Sequence, residues 1–172
     1  MMNFIKFLKK LQIVPMKGTV NNSDTENTQL KLKIDESIDE EYEVVTISNV
    51  GLTTSGVGAV ILKSVDGIEF PISAFSGEVA GQIFNFVEQK HDILPTIYNM
   101  IEQICEESEL LLVKVKVYES GDALRANIYF TGKKDIVLRN YRASDAIALA
   151  TFYGVPILVR KSLLNKKTNA SV

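Results

Sequence analysis

The stretch Leu110-Leu111-Leu112-Val113-Lys114-Val115-Lys116-Val117-Tyr118 decides the fold class. Leu111, Val113, Val115 and Val117 fall on one side of an extended chain, and Lys114 and Lys116 on the other. Glu119-Ser120-Gly121-Asp122 reads as a turn. Leu124, Ala126, Ile128 and Phe130 then repeat the alternation, with Arg125, Asn127 and Tyr129 opposite. Thr131-Gly132-Lys133-Lys134 turns the chain again, and residues 136–139 supply a third strand. Three strands joined by short turns make an antiparallel meander with one apolar side that helices must cover.

Upstream, residues 42–48 are rich in strand formers, and Gly51, Gly56 and Gly58 break the pattern after them. Residues 58–63 and 68–72 form a hairpin around Ser64-Val65-Asp66-Gly67, because an Asp-Gly pair accepts a positive φ. Pro71 lacks an N–H and belongs at that strand's edge or end. Ser76 caps a helix expected to run to about residue 89, and Pro95 fits the first turn of another, striped by Ile97, Ile101 and Ile104. Downstream, Ser144 begins a helix through Ala146, Ile147, Ala148, Leu149 and Ala150, which Gly154 ends. Residues 157–159 read as a short buried strand and 162–164 as a terminal turn. The expected fold is α+β: a mostly antiparallel sheet with hairpins and a meander, covered by two or three helices.

The chain has 172 residues, 46% hydrophobic and 23% charged, which suits one domain with tails. One Cys and one His exclude a disulfide scaffold and a zinc site made only of His and Cys. A net charge of -2 gives no general attraction to nucleic acid, so any such contact needs a local patch. Lys6, Lys9, Lys10 and Lys17 stand at the start, whereas residues 24–43 carry eight acids against Lys31 and Lys33. An N-terminal arm and acidic linker are expected over 1–41, the folded domain over 42–165, and a frayed tail over 166–172. No run reaches about 18 apolar residues, and the start lacks a signal-peptide pattern. The expected location is the cytoplasm, without membrane. Walker, dinucleotide and nucleophile-elbow motifs are absent.

Three places carry side chains suited to chemistry. His91-Asp92 pairs an imidazole that titrates near neutrality with a carboxylate; the two act as base and ligand, or as a loop residue and a helix cap. Arg139-Asn140-Tyr141-Arg142-Ala143-Ser144-Asp145 brings arginines to a helix start, a natural phosphate site. The local alternative pairs Asp145 with Arg142 while Ser144 caps. Glu78 is either a carboxylate suited to its helix dipole or a metal ligand. Carboxylates alone repel a phosphodiester, so convergence of Glu78, Asp92 and Asp145 requires a divalent cation.

Arg142-Ala143-Ser144-Asp145-Ala146-Ile147-Ala148-Leu149-Ala150, followed by Gly154-Val155-Pro156-Ile157, closely resembles the signature of the bifunctional nuclease domain family. The family motif has Pro where this chain has Ala143. His91-Asp92-Ile93-Leu94, Phe70-Pro71-Ile72 and Glu78-Val79 resemble further segments of it, over about 43–165. The resemblance implies an α+β fold, a homo-oligomer, and a nuclease hydrolysing phosphodiester bonds of DNA or RNA. It implicates His91, Asp92, Arg142 and Asp145 in catalysis, and Glu78, Asp92 and Asp145 as ligands to Mg²⁺ or Mn²⁺. The alternative is a non-catalytic oligomeric binding or regulatory module, in which the same motif serves packing and capping.

Overall fold

The computed structural model describes residues 39–90 and 95–168, and the folded unit begins at Tyr42. Residues 1–38 of the arm and linker expected over 1–41, residues 91–94 with His91 and Asp92, and the last four residues lie outside the described residues. Seven strands are present among the described residues: β1 (Tyr42–Leu52), β2 (Gly58–Ser64), β3 (Glu69–Phe75), β4 (Leu111–Ser120), β5 (Ala123–Thr131), β6 (Ile136–Arg142) and β7 (Ile157–Arg160). Four helices accompany them: α1 (Gly77–Val87), α2 (Ile97–Glu107), α3 (Ala143–Tyr153) and α4 (Lys161–Thr168).

The strands form one sheet in the order β3-β2-β1-β7-β4-β5-β6. Every pairing is antiparallel except β4 with β7, where Val115, Lys116 and Val117 stand opposite Ile157, Leu158 and Val159. The expected meander is β4-β5-β6. β3 is an edge strand, which is why it accepts Pro71 opposite Ile61.

α1 packs over β1 and β2, α3 over β4 and β5, and the two helices pack on each other. The core between them and the sheet includes Val60, Leu62, Ile83, Val115, Val117, Ala146 and Ile147, all fully buried. Small side chains at Ala146, Ala148 and Ala150 let α3 lie close to its neighbours. Gly154, at φ 66°, closes α3 in the left-handed conformation expected of it.

The helix count corrects the expectation of two or three. The fourth helix, α4, covers the segment read as a turn. Its sequence, KSLLNKKT, has little apolar period to announce it. Leu163 and Leu164 are 5% and 1% exposed. Burying two such side chains contributes roughly 3–6 kcal/mol, which outweighs the fractional per-residue preferences of the surrounding polar residues. Two helix starts also differ from expectation. Thr96 is the N-cap of α2, in a capping box with Asn99, so Pro95 precedes the helix. Arg142 is the N-cap of α3 without a side-chain cap bond, so Ser144 lies inside the first turn and does not cap. Strand β6 runs directly into α3, and buried Ala143 takes the first helical position.

No described helix is long and apolar enough to cross a membrane.

Candidate functional site

Two helix starts and one buried phenol define the site. At the start of α1, the Ser76 hydroxyl accepts a hydrogen bond from the Val79 amide at 3.2 Å. This fixes the first turn, and Glu78 projects from it exposed to solvent. At the start of α3, Arg142 folds forward over the helix onto Asp145. Its Nε donates to Oδ2 and its Nη2 to Oδ1, both at 2.8 Å. Two parallel charge-assisted bonds hold both groups in one plane. The guanidinium stays 71% exposed and the carboxylate 42%, so the pair faces solvent.

Tyr98, the second residue of α2, is buried. Its ring packs edge-on to Phe86 at 5.1 Å and stacks with Phe152 at 5.8 Å. Burial pushes its phenol above the ordinary tyrosine value. The negative charges of Asp145 and Glu78 push it the same way, and Arg142 opposes them. One hydroxyl therefore feels Glu78, Arg142 and Asp145 together. At neutral pH it keeps its proton and serves as a donor, not a base.

Of the five residues singled out in the sequence, Arg142 and Asp145 are in contact, and Glu78 shares with them only an electrostatic influence on the Tyr98 phenol. His91 and Asp92 lie outside the described residues. Among the described residues, no group of three His, Cys, Asp or Glu side chains is arranged to hold a metal ion. Tyr98 escaped the sequence reading because it sits in the apolar run of α2, where a tyrosine reads as core. Its hydroxyl was the available signal, since a buried phenol needs polar company.

The expectation for Arg142 and Asp145 has a mixed outcome. Their ion pair is the local contact foreseen, but the helix amides are left without a side-chain cap. The uncapped start of α3 keeps amide donors available to an anion. Ala143, standing where the motif carries Pro, occupies the first helical position. Proline and alanine are both accommodated there, so the departure leaves the helix start intact.

A search of curated proteins finds no match to this chain. The model of the bifunctional nuclease domain matches residues 60–171. That span runs from the middle of β2 through α4 and contains Glu78, Tyr98, Arg142 and Asp145. By that match the chain belongs to the bifunctional nuclease domain family.

Proposed function

We propose that this protein is a nuclease that hydrolyses phosphodiester bonds of DNA or RNA with a divalent cation, acting in the cytoplasm as a homo-oligomer. The observation that carries this reading is the exposed Arg142–Asp145 fork at the uncapped start of α3, within a chain of this family. Arg142 is the phosphate-binding group. Its exposed guanidinium offers N–H donors beyond the two given to Asp145, and the uncapped amides of α3 add a positive end. Asp145 orients that guanidinium through the fork. Tyr98, held neutral, donates to a non-bridging oxygen and blocks water on the protein side. His91 takes the proton of the attacking water, and Asp92 orients the imidazole.

Mg²⁺ or Mn²⁺ suits this donor set. Such ions keep several waters and take one or two protein carboxylates together with substrate phosphate. Glu78, Asp92 and Asp145 are the residues that would supply those one or two carboxylates. When bound, the cation lowers the pKa of water and offsets charge on the phosphate.

The purified full chain is assayed on single- and double-stranded substrates with Mg²⁺, Mn²⁺ or EDTA. Cleavage is expected only with metal. His91→Ala and Asp145→Asn should each lower it by about a hundredfold or more. Absence of cleavage, or cleavage unchanged in both variants, overturns the reading.

A second reading, a non-catalytic oligomeric binding or regulatory module, is favoured by one observation. Ile97, Met100 and Ile104 form an exposed stripe on α2, each at least half exposed, and Phe84 and Val87 of α1 are exposed as well. A metal-independent assembly that cuts nothing, yet dissociates when Met100→Glu is introduced, supports it over hydrolysis.

A further inference from the structure

Three arginines gather where β5 and β6 pair, at one border of the sheet. Arg125 of β5 stands directly opposite Arg142 of β6. Just beyond, a bulge interrupts the ladder. Ala126 stands opposite Tyr141, but Ile128 stands opposite Leu138, so Asn127 faces both Arg139 and Asn140. Asn140 takes a φ of 64°, a left-handed conformation that asparagine tolerates better than most residues, and its amide donates to Asn127 Oδ1 at 3.2 Å. Arg125 and Asn127 share one face of β5. Arg139 therefore follows the Arg125–Arg142 rung by one same-face step, about 6.8 Å along the strand.

Like charges directly opposite each other in an antiparallel pair are destabilising. Arg142 is relieved by its fork to Asp145 and stays largely exposed. Among the described residues, no hydrogen bond or ion pair engages Arg125 or Arg139. Arg125 is partly buried and Arg139 is exposed. The ladder sets no carboxylate against them. The other neighbour of Arg125 is Tyr118, and Glu119 stands opposite Leu124, on the other face of β5. Asp135, ahead of β6, accepts a hydrogen bond from Thr131 Oγ1 at 2.8 Å. Charges and bulges on an edge strand also prevent pairing with a foreign strand. That purpose accounts for Arg139 on β6, the last strand of the sheet, but not for Arg125 on β5, inside it.

An anion on this border would relieve the like-charge rung, and the planar guanidinium fork matches phosphate. One phosphate engages one rung only. Two rungs a same-face step apart suit successive phosphates of one chain. The border of a sheet is a straight rail, which an extended single strand can follow and the curving backbone of a duplex cannot. We infer that this border is the track for a single strand of nucleic acid, with neighbouring phosphates held by Arg142, Arg125 and Arg139. It is the local patch that a chain of net charge -2 needs for such a partner. The inference rests on the reading of Arg142 as a phosphate-binding group, and it adds the groups that hold the strand beside the cut.

Fluorescence anisotropy of the full chain with a labelled deoxythymidine dodecamer, in EDTA to silence turnover, tests it over about 50–200 mM salt. Three phosphate contacts, each worth about 0.7, give a slope of log affinity on log salt of about −2. Arg125→Gln and Arg139→Gln should each weaken binding about tenfold and flatten the slope by about 0.7. Arg125→Lys keeps the charge and should keep the slope. Arg125→Gln also removes a like-charge rung, so its melting temperature should not fall. Lys63→Gln removes the same charge from β2, near the opposite border, and should change nothing. A duplex of equal length and polyglutamate should each displace the dodecamer less well than unlabelled dodecamer does. The inference is wrong if the dodecamer does not bind, if both glutamine variants bind it with wild-type affinity and slope, or if duplex or polyglutamate displaces it equally well. Metal-dependent cleavage with binding that ignores Arg125 and Arg139 overturns this inference and leaves hydrolysis standing. Arginine-dependent binding by a protein that cuts nothing supports this inference and overturns hydrolysis.

Discussion

Replacing Gly58 by alanine tests how tightly α1 is seated on the sheet. A Cβ at position 58 would stand 2.7 Å from the Ala80 Cβ, 2.8 Å from the Ser76 carbonyl oxygen and 2.9 Å from the Phe75 Cβ. An ordinary van der Waals contact begins at 3.4 Å, so the shortest approach falls 0.7 Å short (3.4 − 2.7). None of the three atoms is the far end of a flexible side chain, so relief requires moving backbone. Overpacking of this kind costs about 1–3 kcal/mol. For a unit of this size that corresponds to a melting temperature lowered by roughly 3–15 °C. The displaced atoms include Ser76, the N-cap of α1, so Glu78 should move with them. Gly51→Ala is the control. Nothing lies within 4 Å of its Cβ, and its φ is not in the left-handed range. Its melting temperature should stay the same or rise slightly, through a less flexible unfolded chain. Thermal unfolding followed by circular dichroism compares the two. A Gly58→Ala protein that melts at or above the wild-type temperature refutes the close approach of β2 and α1.

Two further outcomes follow from buried groups. Tyr98 and Tyr153 both ionise above the ordinary value of 10.0 when folded, chiefly because burial disfavours the phenolate. A pKa raised by folding leaves stability intact below about pH 10 and removes it as pH rises beyond. Urea midpoints measured at pH 8, 10 and 11 should therefore fall only in the alkaline range. Tyr98→Phe should flatten that fall; an unchanged slope would contradict the placement of its hydroxyl. Cys105, the single cysteine, is 6% exposed, and burial pushes its thiol upward. It should react with a thiol reagent such as dithionitrobenzoate only as fast as the protein opens, and at once in denaturant. Prompt labelling of the native protein would show α2 to be loosely packed.

The meander was legible because its information is local. Alternation in β5 and in the second half of β4 names the apolar face, whereas a bulge at Val113 puts Leu112 in the core in place of the expected Leu111; Gly121 and Gly132 punctuate the strands. What the lysines of β4 do was not legible. Lys116 is 2% exposed, between the rings of Tyr42 and Tyr129, and those partners come from the first strand and from β5. The sequence registers a charge, while the tertiary fold decides whether that charge is solvated or caged. The bulge at Asn140 escaped for the same reason, since it exists only relative to Asn127 across the ladder. Of the site, the motif from Arg142 onward announced the helix and its acidic first turn. Tyr98 and the approach of Glu78 depend on how α1, α2 and α3 pack, which no short window of residues encodes. α4 likewise exists through Leu163 and Leu164 meeting the core, and its own residues are weakly patterned.

The position of β7 has a consequence for biosynthesis. A ribosome that has emitted everything through Gly154 has delivered six strands as two unconnected sheets, β3-β2-β1 and β4-β5-β6. Each still presents a naked border, at β1 and at β4, able to template the wrong neighbour. Within the sheet, the four residues Ile157–Arg160, translated after both, join the two halves. The nascent chain thus carries two adhesive seams until β7 emerges, and shielding them in that interval falls to whatever greets it at the exit tunnel.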